Sequence, residues 1–190
     1  MFCPHTDQPE RTIMIDFDYE SRIIDLPDYP EPGVVFKDIT PLLADAEGLK
    51  ACVENIAEHF KGAGITKVVA SEARGFLFGA PIAYAMGVGF VPARKVGKLP
   101  RETYREEYAL EYGTDSLEIH KDALCEDDVV LLVDDLVATG GTAVAQVRLV
   151  EKAGAKVAGL AFMMELAFLN PRDAIAKATD VEVFSLVKVH

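Results

Sequence analysis

The stretch "VVLLVDDLVATGGTA", Val129 to Ala143, sets five apolar residues before two adjacent carboxylates, Asp134 and Asp135, and then a run of small and hydroxyl-bearing residues. An uninterrupted apolar run of this length reads as a strand buried on both faces, the kind found inside a parallel sheet. Ala143, Val147 and Val150 follow at helical spacing, so the segment is a strand, a tight turn and a helix closing near Gly154. A buried carboxylate without a partner opposes folding by several kcal/mol. Two of them at a strand end must therefore face something that folding alone does not supply.

The same unit recurs on either side. "TKVVAS" reads as a buried strand, "GFLFGAPIAYAMG" as a helix packed through its small residues, and "GFVPAR" as another strand. Leu49, Val53, Ile56 and Phe60 mark one face of an amphipathic helix ending at Gly62 and Gly64, while "KVAGLAFMMEL" and "VEVFSLV" supply two further strands. The mixed apolar and acidic stretch from Ile13 to Ile24 is expected to be helical, stopped by "DLPDYPEPG", and "VVFKDITPLL" is expected to be extended or loop. Repeated strand-to-helix units predict an α/β fold, an open, mainly parallel sheet flanked by helices, whose ligands bind beyond the carboxyl ends of the strands.

Length and composition bound the rest. The 190 residues, half of them hydrophobic, suffice for one sizeable core, so a single domain spanning 1–190 is expected, with residues 1–12 as a loose polar leader. A formal net charge of −12 argues against a general binder of nucleic acid or anionic membrane, because such partners are held by positive surface. Three cysteines without CxxC spacing and four scattered histidines indicate neither a disulfide framework nor a structural zinc site. No segment approaches the roughly 18 apolar residues of a membrane span, and the expected compartment is the cytoplasm. The charged, tyrosine-rich segment from about 95 to 120 reads as a hairpin or flap.

In "DDLVATGGT", Gly140 and Gly141 permit backbone conformations closed to other residues, Thr139 and Thr142 bring hydroxyls, and the next helix offers free N–H groups. This is an anion cradle, suited to a phosphate monoester. A bare TGGT is also what an ordinary turn with Thr142 as N-cap looks like. The preceding acids tip the balance toward a phosphorylated sugar, whose hydroxyls they would accept hydrogen bonds from, or whose Mg²⁺ they would hold through water. No GxxxxGK[ST] and no GxGxxG follows any strand, which disfavours nucleoside triphosphate and dinucleotide folds.

Taken whole, "VVLLVDDLVATGGT" resembles the phosphoribosyl pyrophosphate (PRPP) motif of the type I phosphoribosyltransferases, a likeness that leaves the base open. "LPDYPEPGVVFKDITPLL", "SEARGFLFGAPIA", "RKVGKLPRET" and "LEYGTDSLEIHKDAL" resemble, in the expected order from about residue 24 to beyond Glu165, the adenine phosphoribosyltransferases. The resemblance implies conversion of adenine and PRPP to AMP and pyrophosphate, with Mg²⁺, through an oxocarbenium-like transition state. It implies that Ala138, Thr139, Gly140, Gly141 and Thr142 hold the 5′-phosphate, and that Asp134 and Asp135 meet the ribose hydroxyls beside a developing cation. Glu72, Ala73 and Arg74 would form the pyrophosphate loop, with Arg74 on the leaving group or near the base and a cis peptide between Glu72 and Ala73. Val35 backbone groups would read the purine edge, Phe36 would line or stack on it, and Leu166 would close the other face.

Within the flap, the same likeness makes Glu111 the carboxylate that takes the adenine proton, with Tyr112 beside it. Lys95 and Lys98 would approach the pyrophosphate from a neighbouring subunit, which implies a homodimer. No metal site built by the chain alone is expected, Mg²⁺ being carried mainly by PRPP and water. The alternative of another class is a regulatory protein that senses PRPP with the same fold and binds nucleic acid; the −12 charge and the lack of a basic stripe count against it.

Overall fold

The computed structural model describes residues 14–109 and 114–190. Glu111, Tyr112 and the expected leader therefore lie outside the described residues. The chain runs β1 (Ile24–Pro27), β2 (Val35–Asp38), α1 (Thr40–Ala44), α2 (Ala46–His59), β3 (Lys67–Ser71), α3 (Arg74–Met86), β4 (Gly89–Lys95), β5 (Thr103–Ala109), β6 (Thr114–His120), β7 (Val129–Val137), α4 (Gly141–Lys152), β8 (Lys156–Leu166), α5 (Pro171–Ile175) and β9 (Glu182–Val189).

Seven strands form one sheet in the order β5-β6-β4-β3-β7-β8-β9, and β1 and β2 pair separately as an antiparallel hairpin. From β4 across to β9 every pairing is parallel; the β5–β6 hairpin adds an antiparallel edge through β6. Alternation along the strands explains the two-sided core. In β7, Leu131 and Val133 join the cluster that packs α2 and α3, while Val130 and Leu132 join the one beneath α4. Each fully buried large aliphatic side chain, such as Ile56, Ile82 or Leu149, contributes roughly 1.5–3 kcal/mol relative to exposure. That burial holds the loops at the strand ends in fixed places.

One local expectation is corrected and two are refined. In the described part of the Ile13–Ile24 stretch there is only a 3₁₀ turn, Glu20–Arg22, before β1 begins. The reason is tertiary: buried Asn55 on α2 accepts from the Ile15 amide (2.7 Å) and donates to the Ile15 carbonyl (2.8 Å), holding the chain extended along the helix. "VVFKDITPLL" is extended in its first half, as strand β2, and departs from expectation only in its second, which is α1 with Pro41 near its start, where a missing N–H costs nothing. The expected helix to Gly62 ends slightly sooner, at His59 with Phe60 as cap. No helix among the described residues is long and apolar enough to cross a membrane.

Candidate active site

From β3 the chain crosses to β4 on one side and later returns to lay β7 on the other, so the connections leaving β3 and β7 diverge. That divergence opens a crevice at the carboxyl ends of the two strands, where open α/β sheets bind ligands. The loop after β3 carries Glu72 and Ala73; the loop after β7 carries Ala138, Thr139 and Gly140. A cleft of about 600 Å³ lies there, bordered by Val35, Asp134, the 138–142 turn, Leu166 and Phe168. A larger cleft of about 1130 Å³ runs along the length of α2, between it, the C-terminal half of α3 and the 62–65 turn. Its glutamates, Glu54 and Glu58, lie along α2 with no phosphate cradle beside them, whereas the smaller cleft joins Asp134 to the 138–142 turn.

Gly140 is the N-cap of α4, with φ +87°, and no side chain caps the helix. Its carbonyl accepts from Val144, and the amides of the first turn, from Gly141 on, are left pointing out of the helix end. These N–H groups and the helix dipole make an anion site. Thr142 lies inside the first turn, so the ordinary-turn reading with Thr142 as N-cap does not hold.

The acid pair divides its tasks. Asp134 is 9% exposed; one oxygen accepts a short hydrogen bond from the Ser71 hydroxyl and the other accepts from the Asp135 amide at 2.9 Å. A Cβ on Gly75 would stand 2.5 Å from that second oxygen, so the first turn of α3 can close over Asp134 only through a glycine. Burial, and then the charge of Asp135, push the Asp134 carboxyl well above the usual carboxylate range. Asp135, 5% exposed, is also raised by burial, against which Arg74 pulls down. Arg74 Nε is 2.8 Å from Asp135 Oδ2, an ion pair by distance, yet no N–H is aimed to make that oxygen a hydrogen-bond acceptor. Asp134 borders the cleft with its acceptors engaged by the protein; Asp135 keeps a buried oxygen unsatisfied.

Arg74 also lies over the Phe36 ring, 5.5 Å from its centroid, and thus links β2 to the acid pair. Phe36 is half-buried and packs edge-on against Tyr29, whereas Val35 and Leu166 line the cleft itself. The Glu72–Ala73 peptide is cis. The Glu72 amide donates to the Ala93 carbonyl at 3.0 Å, and its carboxylate is taken by Arg94 Nε and the Lys95 amide, each at 2.8 Å. The Glu72 carboxylate thereby braces the β3 loop against β4. Lys95 pairs with Asp115 of the hairpin at 3.0 Å, and Lys98 is exposed.

Residues 38–189 match the phosphoribosyl transferase domain family. A protein of Aeromonas salmonicida named adenine phosphoribosyltransferase is 54% identical over 170 residues, 90% of this chain and 93% of that one. This chain belongs to the adenine phosphoribosyltransferase family. A solved adenine phosphoribosyltransferase of Thermoanaerobacter pseudethanolicus superposes with a TM-score of 0.86 at 50% identity, covering 90% of this chain and 98% of the other. That of Saccharomyces cerevisiae, complexed with D-2,5-dideoxy-2,5-imino-altritol 1,6-bisphosphate and adenine, gives 0.81 at 38% identity over 88% and 96%. Membership in the adenine phosphoribosyltransferase family makes the chain a glycosyltransferase-type enzyme of purine salvage.

The adenine phosphoribosyltransferase likeness did not single out Ser71, Phe168 or Tyr108, which the structure adds to the neighbourhood. Ser71 is the last residue of β3 and Tyr108 stands on β5 beside Thr142 of the cradle. Phe168, 57% exposed, sits on the 3₁₀ turn after β8. A hydroxyl closing an apolar strand was the one legible signal, in "TKVVAS". The β5–β6 hairpin is tied to α4 by Glu106, which meets Arg148 at 3.3 Å and Lys152 more closely. No group of three or more His, Cys, Asp or Glu poised for a metal occurs among the described residues.

Proposed function

We propose that the cleft transfers the 5-phosphoribosyl group of PRPP to adenine, releasing AMP and pyrophosphate, and that the named site residues carry the roles which the resemblance implies. The observation that carries the reading is the uncapped α4 N-terminus lying beside a buried acid pair at the β3/β7 switch point, with Val35 and Leu166 across the same cleft. Adenine named in the yeast relative's complex supports the choice of base.

The 138–142 turn holds the 5′-phosphate on the helix amides. As the bond from the anomeric carbon to pyrophosphate oxygen breaks, positive charge grows on the ribose ring, and Asp135 stabilises it from a fixed position. Adenine N9 bonds to that carbon from the opposite face while Glu111 takes the N7 proton. Arg74 and the Ala73 side of the pyrophosphate loop receive the departing negative charge. Val35 backbone groups and Leu166 orient the purine, and the flap carrying Glu111 and Tyr112 excludes water. Asp135's unsatisfied oxygen fits a water-bridged Mg²⁺ shared with PRPP. When bound, Mg²⁺ supplies charge neutralisation to the pyrophosphate. The proposal includes a homodimer in the cytoplasm, with Lys98 free to reach a neighbouring site and Lys95 released to it from Asp115.

Pyrophosphate release from PRPP, followed with adenine, hypoxanthine, guanine or orotate and with or without Mg²⁺, tests the substrate reading. Activity is expected with adenine and Mg²⁺; turnover of hypoxanthine without turnover of adenine would overturn it. Glu111→Leu is expected to lower kcat by about 10²-fold while PRPP still binds, the usual scale for losing a general base. Unchanged turnover removes Glu111 from proton transfer.

A further inference from the structure

Just beyond the cleft, Glu165 is 2% exposed, the penultimate residue of β8, and flanked by β7 and β9 at Val137 and Lys188. A glutamate in that place would oppose folding strongly if left alone. Arg172 meets it in a two-pronged contact, Nε to Oε1 and Nη2 to Oε2, both 2.7 Å. The Ser185 hydroxyl donates to Oε2 at 2.8 Å, and Arg172 Nη1 donates to the Val183 carbonyl at 2.9 Å. Arg172, then Ser185, hold the Glu165 carboxyl below its usual range against the opposing effect of burial.

Arg172 is the second residue of α5, a helix of five residues that is otherwise fixed by the buried Pro171 and Ile175. Between the two charges the chain makes only one 3₁₀ turn and the left-handed Asn170. On one side that loop presents Leu166, Phe168 and Leu169 to the cleft. On the other, α5 backs the phosphate cradle: a Cβ built on Gly140 would lie 2.8 Å from the Pro171 carbonyl and 3.2 Å from the Ala174 Cβ. Both walls meet at this fork.

We infer that Arg172 and Glu165 are positioning residues for the transfer reaction, a single strut that sets the base-side wall and the 5′-phosphate cradle in mutual register. The inference rests on the adenine and PRPP reading above. Neither residue touches substrate; each acts through the 166–175 loop. The planar fork of arginine matches a carboxylate in two bonds at once, which a lysine ammonium cannot reproduce while keeping the charge.

Steady-state kinetics of Arg172→Lys in the full chain, varying adenine and PRPP separately, test this. KM is expected to rise for both substrates together, by about tenfold or more, since small displacements of a bound reactant are costly. A merely structural pair would reduce the amount of active enzyme and so kcat, leaving both KM values as in the wild type, and that result overturns the inference. A rise confined to one substrate overturns the shared register. Ser185→Ala, which removes one donor to Glu165 without stranding a charge, is expected to move both KM values the same way by a smaller factor; it decides the matter if Arg172→Lys does not fold. Wild-type turnover of adenine is the separate check on the function itself, so failure of the strut and failure of the reading give different results.

Discussion

Asp135→Asn is expected to lose turnover by about 10²-fold, some 2.7 kcal/mol of transition-state stabilisation, while the melting temperature stays level or rises. The two halves of that expectation have one cause. Asp135 is 5% exposed, and its Oδ2 lacks an aligned hydrogen bond although Arg74 Nε is 2.8 Å away. Burial raises its carboxyl above the usual range despite Arg74. For an acid whose folded-state pKa is raised, the protonated form is favoured by folding. Stability is then fully present below the unfolded pKa, declines as pH rises toward the folded value and stays lower above it. The charge therefore costs stability at neutral pH, and the isosteric amide relieves that cost. It is useful only when a cation grows beside it, in a site already desolvated. Steady-state kinetics and thermal melting of the same preparation check both signs. Turnover within a few-fold of wild type would remove Asp135 from cation stabilisation, whatever the melting curve shows.

Asp134 shows why such a charge can be kept at all. Its oxygens are committed to the Ser71 hydroxyl and the Asp135 amide, and Gly75 lets α3 close over it. The arrangement fixes the backbone of the β7 end, so that Asp135 and the turn to Gly140 are aimed without needing ligand to order them. Adjacent residues of identical type thus differ in what they can offer a ligand: Asp134 has both oxygens engaged by the protein, while Asp135 keeps one buried oxygen open.

The parallel part of the sheet was legible because its strands are largely apolar runs, and the acid pair because carboxylates are anomalous at a buried strand end. The roles of Phe36, Val35 and Leu166 came from resemblance alone, since each is an ordinary apolar residue in isolation. What stayed hidden has a common physical origin in contacts distant along the chain. The stretch before β1 shows helix-like composition, yet Asn55, forty positions away in sequence, takes its backbone hydrogen bonds. Glu165 hides inside "AFMMEL", and its partners come from a five-residue helix and from β9. No local periodicity links those positions. Glu72 was legible as part of a loop, but its engagement by Arg94 and the Lys95 amide depends on β4 lying beside β3.

Gly140→Ala is expected to raise the KM for PRPP by about 10²-fold, the scale of an ångström-level displacement at a reacting site. Two separable effects meet at this residue. Its φ of +87° is left-handed, where a Cβ costs roughly 1–2 kcal/mol. In addition, the new carbon would stand 2.8 Å from the Pro171 carbonyl oxygen, a backbone atom that cannot swing aside. Because Arg172 and Glu165 hold α5 to the sheet, the displacement must fall on the cradle, tilting the first-turn amides away from the phosphate. Gly154→Ala isolates the first effect: its φ is +82°, and its added carbon would meet only the Glu126 Cβ at 4.0 Å. Both variants should lose similar stability to backbone strain, but only Gly140→Ala should weaken PRPP. Equal KM values for the two would show that the close approach of α5 is irrelevant to phosphate binding. Separate melting curves and PRPP titrations on the two variants distinguish strain from displacement, since strain alone predicts parallel losses and the cradle predicts a divergence confined to the phosphate-bearing substrate.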